Sequence, residues 1–455
     1  MPLTNAVPPP PPWLLMFSAA DRAALTDTAR TAAELLADGA RPEAVLPARL
    51  LSGEHDTERL AVAAADPAGL AEGLSFFADG LASPRWTSGR PDGAASRVVW
   101  CFGGHGSQWP GMGRALLSWA PEAARVLTEL DTLLPNGVIE PLMNAADGEL
   151  GPPDTTQPLI FAVQVATAHW LWSLGLRPEA VVGHSLGEVA AAHVAGALTL
   201  EEAARVVAVR SGLLAKAAGG GAMATVNLDR HTVARRCEQI PGTVVVAAHS
   251  APRQTVVTGE SEATRALVNA LEAEGVRCRL IRINAASHSP FVDSVLPQLR
   301  AELADLAPAT PRIPWISTVD ADPDPVGLAT ADYWARNLRR PVRFTQAVSA
   351  LARRGIRAYV EIGPHPVLIP PIRETLRAEG VDDPLVIASG HRVTPEPVSL
   401  LRLLGALHCR GLEIPALHDH ALGGATPATG RTPPTDRTDR TDRARARARA
   451  RADRG

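Results

Sequence analysis

Residues 180–193, Ala-Val-Val-Gly-His-Ser-Leu-Gly-Glu-Val-Ala-Ala-Ala-His, constrain the fold more than any other stretch of the chain. A short β-branched run ends in Gly-x-Ser-x-Gly and passes at once into an alanine-rich segment, which predicts strand, sharp turn and helix. The turn has no room for a β-carbon on either side of the serine, and strained backbone angles cost glycine least, hence Gly183 and Gly187. Ser185 is thereby pushed out at a helix N-terminus, where free N–H groups and the positive end of the helix dipole stabilise a developing oxyanion. That is the layout of a nucleophile elbow at the carboxyl edge of a parallel sheet.

At 455 residues the chain has material for two or three domains with a large core. No apolar run reaches the roughly 20 residues that span a bilayer. The N-terminus has no charged n-region followed by an apolar h-region, so a cytoplasmic location without membrane contact is expected. The four cysteines, Cys101, Cys237, Cys278 and Cys409, are far apart and form no Cys-x-x-Cys pair, so they read as buried thiols with neither a metal site nor a disulfide framework. A net charge of −3 gives no reason to expect a nucleic-acid partner.

In chain order, residues 1–12 read as a disordered, proline-rich leader. Residues 13–95 read as a separate α/β unit: a strand at Trp13–Phe17, Ser18 capping a helix from Ala19 to Ala37, a strand at Leu60–Ala65 and a helix at Pro67–Ala78. A larger domain occupies 96–221 and 285–395. It has a strand at Arg97–Phe102, a helix at Gln157–Leu174, the elbow and a helix from Leu200 to Ala217. Strands at Ile313–Thr318, Ile356–Ile362 and Pro384–Ala388, and helices at Val295–Leu306 and Phe344–Arg353, complete it. Between its halves, 222–284 reads β-α-β-β-α-β, a ferredoxin-like order, with strands from Ala222, Val244, Thr255 and Val276 and helices at Thr232–Gln239 and Ser261–Glu274. Residues 396–420 are expected to return to the first unit, and 421–455, built from Asp-Arg-Thr and Arg-Ala repeats, to be a disordered basic tail.

Three further stretches carry chemistry. The strand ending at Phe102 runs into Gly103-Gly104-His105-Gly106-Ser107-Gln108, a loop that lets backbone approach a ligand closely, or that is simply a structural turn. On the helix from Leu200, Ala203, Val206, Val207, Leu213 and Leu214 form an apolar stripe on which Arg210 also falls, whereas Arg205 lies on the other face. A guanidinium there needs a carboxylate, from the protein or from a ligand. An activated serine also needs a base. Among thirteen histidines, His184 adjoins Ser185 and points away from it, His169, His193, His231 and His249 fall on regular elements, and His288 stands in the loop leaving the inserted subdomain. No acidic residue presents itself as a third partner.

The chain resembles the acyltransferase domains of modular polyketide synthases, relatives of the malonyl-CoA:acyl carrier protein transacylases. The resemblance runs from Trp13 to His418. It is carried by Gly104-His105-Gly106-Ser107-Gln108, Gln157-Pro158, Gly183-His184-Ser185-Leu186-Gly187-Glu188, Arg210-Ser211, Gly221-Ala222-Met223, Ala286-Ser287-His288-Ser289, Tyr333-Trp334-Ala335-Arg336-Asn337-Leu338 and Gly363-Pro364-His365-Pro366. It implies an α/β-hydrolase-like parallel-sheet domain with the inserted ferredoxin-like subdomain, and makes residues 13–95 similar to the linker domain between ketosynthase and acyltransferase. With neither a ketosynthase nor a carrier protein in the sequence, a discrete, trans-acting enzyme and a monomer are expected.

Residue by residue, the resemblance makes Ser185 the nucleophile and His288 its general base, oriented by backbone carbonyls in place of an acid. It makes the N–H groups of Gln108 and Leu186 the oxyanion hole, and Arg210 the clamp on the free carboxylate of a malonyl-type group. Gln157, His184, Ala285 and Ser287 line the substrate site. No bound cofactor is implied: acyl-coenzyme A is the donor substrate and the phosphopantetheine thiol of an acyl carrier protein the acceptor, in a ping-pong reaction through an acyl-serine. Two departures stand out. His105 replaces the more usual glutamine, and residues 285–288 read Ala-Ala-Ser-His where malonyl-selective members tend to have His-Ala-Phe-His and methylmalonyl-selective ones Tyr-Ala-Ser-His. The small Ala285 and Ser287 lead to the expectation that malonyl and α-substituted malonyl donors are both accepted. The alternatives are a starter-unit or intermediate acyl shuttle, an editing hydrolase that clears carrier proteins, and a non-catalytic docking module.

Overall fold

The computed structural model describes residues 12–45, 56–92, 97–144, 151–217, 219–281, 286–320, 329–412 and 414. The expected leader (apart from Pro12), Ala285 and the basic tail lie outside them. Within them the chain is an α/β protein with three sheets.

The first sheet is antiparallel, in the order β1 (Trp13–Ala19), β2 (Glu58–Ala64), β3 (Trp86–Gly89). Its strands alternate. Leu15, Phe17, Leu60 and Val62 face Leu25, Leu70, Leu74 and Phe77 of the helices Arg22–Ala37 and Pro67–Ala78, while Leu14, Met16, Ala61 and Ala63 on the other face join the main core. The helix Glu396–Cys409 lies against that second face. Gly405 permits the approach, since a β-carbon there would stand 2.6 Å from Ala61 Cβ. The expected cap Ser18 is corrected by the structure. β1 continues through Ala19, paired with Glu58, so the helix starts later, with Asp21 Oδ1 accepting from Ala24 N at 2.9 Å. Ser18 Oγ instead accepts from Asp56 N at 3.1 Å.

The central sheet is parallel throughout and contains β4 (Val98–Phe102), β5 (Ala180–Gly183), β10 (Trp315–Ile316), β11 (Ala358–Ile362) and β12 (Leu385–Ala388), in the order β10-β5-β4-β11-β12. β4, β5 and β11 are buried on both faces, which is why β4 and β5 run continuously apolar; β11 carries one carboxylate, Glu361, which accepts from the N–H groups of Val367, Leu368 and Ile369. The helix Pro153–Ser173 covers one face. Helix Phe344–Arg353 covers the other, through Phe344, Ala347, Val348 and Leu351. β10 is much shorter than the strand expected over Ile313–Thr318. Pro314 has no N–H to donate, and Thr318 donates both its N–H and its hydroxyl to Glu188. Likewise the helix expected over Val295–Leu306 ends early, running from Leu296 to Glu302, with a 3₁₀ turn at Pro290–Val295 before it. The helices Arg114–Trp119, Pro121–Leu133, Ile139–Asn144, Ile369–Ala378 and Glu396–Cys409 have no counterpart in the sequence reading.

The inserted subdomain is ferredoxin-like: β6 (Gly221–Val226), β7 (Val244–Ala251), β8 (Gln254–Glu260) and β9 (Cys278–Ile281) form an antiparallel sheet in the order β7-β8-β6-β9. Helices Arg230–Glu238 and Ser261–Ala273 close it over Val226, Val233, Val257, Leu267 and Leu271. Its other face meets helix Phe344–Arg353 through Ala247, Ala248 and Val256. No helix among the described residues is long and apolar enough to cross a membrane.

The elbow glycines are dictated by contact. A β-carbon on Gly187 would lie 2.0 Å from Phe102 O, and one on Gly183 would lie 2.2 Å from Glu188 N, backbone atoms that no rotamer change can move. Gly187→Ala is therefore expected to cost more than an ordinary helix substitution and to lower the melting temperature by at least about 8 °C, a loss of several kcal/mol in a chain of this size. Thermal denaturation followed by circular dichroism tests this, and a shift under 2 °C refutes the contact argument.

Candidate active site

Ser185 stands one residue beyond β5, after His184, and precedes the helix Gly187–Val194. Its φ of +56° lies in the left-handed region that L-residues avoid, and His288 shares that conformation at +61°. The two residues meet. The Ser185 hydroxyl donates to His288 Nε2 at 2.7 Å, and His288 Nδ1–H donates to the carbonyl of Arg340 at 2.8 Å. The second bond fixes the tautomer, leaving the Nε2 lone pair turned to the serine. His288 N also donates to Leu338 O, so the backbone at 338–340 holds both ring and main chain. A carbonyl thus orients the imidazole, and no carboxylate among the described residues joins the pair.

Arg210 comes in from the helix Leu200–Lys216 and is 1% exposed. Its guanidinium donates to Gln157 Oε1 at 2.6 Å, to Asn337 Oδ1 at 3.2 Å and to Ser185 Oγ at 3.0 Å. All three acceptors are neutral. No protein carboxylate pairs with Arg210 among the described residues, and burial alone lowers its pKa to about 10. Among the described residues, the structural ion pair that its apolar position permitted is therefore absent. Burial holds His288 down at about 3, helped by the charge of Arg210, so the imidazole is neutral at physiological pH and its Nε2 lone pair is free to accept.

Asn337 went unremarked as a site residue, although it stands in the stretch Tyr333–Leu338. Its amide joins two elements, Oδ1 taking Arg210 Nε–H while Nδ2–H donates to the Ser185 carbonyl at 3.1 Å. Glu188 went unremarked too. Buried in the first turn after the elbow, it accepts from Trp315 Nε1, Thr318 N, Thr318 Oγ1 and Tyr333 Oη at 2.6–2.8 Å. Burial outweighs these donors and raises its pKa to about 7. Through Tyr333 it ties the nucleophile helix to helix Ala331–Arg339, which leads to the carbonyls that hold His288. Two hydroxyls, an indole and a backbone amide scattered over residues 315–333 have no spacing rule that would reveal this hub.

The glycine loop lies beside the serine. A β-carbon on Gly104 would be 3.0 Å from His184 O and 3.8 Å from Ser185 Cβ. Gln164 Nε2 donates to Gly103 O at 2.7 Å and Trp109 Nε1 to Pro364 O at 2.9 Å, anchoring the loop at both ends. Gln108 acts inside the loop. Its Oε1 accepts from Gly106 N at 2.7 Å and its Nε2 sits 3.2 Å from His105 Nε2. The backbone N–H groups of His105, Gln108 and Leu186 donate to no protein acceptor among the described residues. His184 packs edge-on to Phe344 with ring centroids 5.6 Å apart, and burial keeps it neutral with a pKa of about 4. Ser287 is buried beside His288, whereas Ala285 lies outside the described residues. The structure thus gathers Ser185, His288, Arg210 and Gln157 into one hydrogen-bonded cluster, with the glycine loop against it.

Comparison with known proteins adds a family. Residues 99–414 match the family model described as the acyl transferase domain. Erythronolide synthase EryA2 of Saccharopolyspora erythraea is 39% identical over 428 residues, which are 91% of this chain and 12% of that protein. This chain thus spans about an eighth of the length of that relative. Among solved structures, the acyltransferase domain from module 8 of the salinomycin polyketide synthase has a TM-score of 0.81 at 33% identity, covering 89% of this chain and 97% of the other. The malonyl CoA-acyl carrier protein transacylase of Coxiella burnetii has a TM-score of 0.60 at 26% identity, covering 68% of this chain and 97% of that one.

Proposed function

Because the chain belongs to the acyl transferase domain family, we propose that it moves a malonyl-type acyl group from coenzyme A, through an ester on Ser185, to the phosphopantetheine thiol of an acyl carrier protein in polyketide biosynthesis. The observation that carries the reading is Arg210, a buried cation 3.0 Å from Ser185 Oγ with only neutral partners. A buried charge in that state is satisfied by an anion, and a dicarboxylic acyl group brings one within reach of the nucleophile.

In the first half-reaction Ser185 Oγ attacks the thioester carbonyl carbon as its proton passes to His288 Nε2. The tetrahedral oxyanion is received by the N–H of Leu186 and by an N–H of the glycine loop. Of the loop donors, that of His105 directly follows Gly104, the residue packed against the elbow, so we assign it this role. Gln108, expected from the resemblance to supply the second N–H, keeps its backbone N–H unengaged among the described residues and stands as the alternative donor, while its side chain holds the loop at Gly106. The C–S bond breaks and His288 returns the proton to the leaving sulfur of coenzyme A. In the second half-reaction the carrier's thiol gives its proton to His288, its sulfur attacks the ester, and Ser185 recovers the proton as the thioester leaves. The acyl carrier protein acts free or as part of a polyketide synthase. The small side chain of Ser287 supports tolerance of an α-substituent.

The test is incubation with radiolabelled malonyl-CoA, first alone and then with a holo acyl carrier protein. Label is expected as an ester on Ser185, with transfer to the carrier outpacing hydrolysis by at least about 10-fold. An unlabelled wild-type enzyme refutes the acyl-serine. Hydrolysis faster than transfer replaces the transferase with an editing hydrolase.

A further inference from the structure

The glycine loop contains a side-chain pair whose protonation the geometry determines. Gly106 N–H lies 2.7 Å from Gln108 Oε1, where a flipped amide would set two donors face to face, so the contact fixes the orientation of the amide and turns Gln108 Nε2–H toward His105 Nε2 at 3.2 Å. His105 Nε2 must therefore accept, and the single proton of the neutral ring resides on Nδ1. That nitrogen is buried and has no hydrogen-bond partner among the described residues. The ring stays uncharged because it is largely desolvated and feels the charge of Arg210. A leucine would fill the same space without a stranded N–H. What the imidazole adds is a fixed acceptor for Gln108, which in turn grips the loop at Gly106, two residues after the glycine that abuts Ser185.

We propose that His105 and Gln108 form a side-chain brace that positions the N–H groups of the glycine loop for the oxyanion, making both of them positioning residues for acyl transfer. The proposal rests on the reading that this loop stabilises the oxyanion formed at Ser185. Gly106 has a φ of +108° and is exposed; besides this pair, the hydrogen bond that the described residues place within the turn is Ser107 Oγ–H to Gly104 O at 3.3 Å, on its buried side. With the brace intact the loop N–H groups are set before substrate arrives and need no reorganisation in the transition state. Without it the loop keeps its anchors at Gly103 and Trp109 but not the direction of the donors between them.

The experiment measures acylation of Ser185 by radiolabelled malonyl-CoA in single turnovers, per folded molecule, for wild type, Gln108→Leu, His105→Leu and His105→Gln. Folding is checked by thermal denaturation. Gln108→Leu and His105→Leu are expected to slow the acylation step about 30-fold, short of the 100- to 1,000-fold for losing an oxyanion donor outright. The malonyl-CoA concentration at half-saturation should change less than about 3-fold, because the loss falls on the transition state. In His105→Gln the glutamine oxygen again accepts from Gln108 Nε2–H, so at least about 10-fold of the loss seen in His105→Leu should return. Equal rates in Gln108→Leu and wild type, or in His105→Gln and His105→Leu, overturn the brace while leaving the acyl-serine reading intact. A wild type that takes no label overturns both.

Discussion

Ser185→Ala is expected to take no detectable label from malonyl-CoA and to lower transfer to a carrier protein by about 10⁵-fold or more, the scale of losing a nucleophile that acts as one unit with its base. The fold should survive. Alanine at φ +56° meets the same left-handed penalty that serine already bears, and Ser185 Oγ is only one of three acceptors of Arg210. His288→Ala should lose nearly as much. The double variant should be no worse than Ser185→Ala alone, because with no Oγ proton to remove the imidazole has no task. Label retained by the alanine variant would place the ester elsewhere and dissolve the assignment of the pair.

Arg210→Ala is expected to depress acylation by malonyl donors by about 100- to 1,000-fold, the equivalent of about 3 to 4 kcal/mol for removing one side of a desolvated charge pair. Acetyl and longer monocarboxylic donors should lose far less. The substitution also acts on the base. Arg210 is the charge that assists burial in holding His288 near 3, so its removal lets the pKa of His288 rise. The sign is definite. A base whose pKa rises loses its neutral form at higher pH, so the acid limb of acylation, followed with a monocarboxylic donor, should move to higher pH in the variant. Equal losses for dicarboxylic and monocarboxylic donors, with an unmoved acid limb, would reduce Arg210 to a structural element of the elbow.

The elbow was legible because two glycines around a serine, after a β-branched run, admit one local geometry, and the contacts at Gly183 and Gly187 give the reason. The ferredoxin-like insertion was legible from the order of its strand and helix patterns, each long enough to show a period. Shorter elements were not. β3 has four residues, and β10 has two, so neither carries a periodicity. At Ser18 a good capping residue stood one turn of chain too early, and pairing within β1 overrode the propensity. In the site, Arg210 stood out because a charge on an apolar stripe is anomalous, but its lack of a carboxylate could only be seen in three dimensions. Asn337 and Glu188 escaped notice for the opposite reason. Amides and carboxylates on helices are ordinary in sequence, and their partners lie about 130 to 150 residues away along the chain.

Ser185 and His288 are separated by 103 residues, with the whole ferredoxin-like subdomain between them. A ribosome adding about 5 to 20 residues per second delivers the histidine about 5 to 20 seconds after the serine. During that interval β4 and β5, two of the three inner strands of the central sheet, have been made, while β10, β11 and β12 have yet to be synthesised. The insert can form its own antiparallel sheet meanwhile, since all four of its strands lie between Gly221 and Ile281. On the mechanism proposed above, the nascent elbow holds its serine without the histidine that takes its proton. Reactivity arrives only when the later strands and the Arg340 carbonyl have been translated, so the order of the chain itself keeps an unfinished molecule chemically silent.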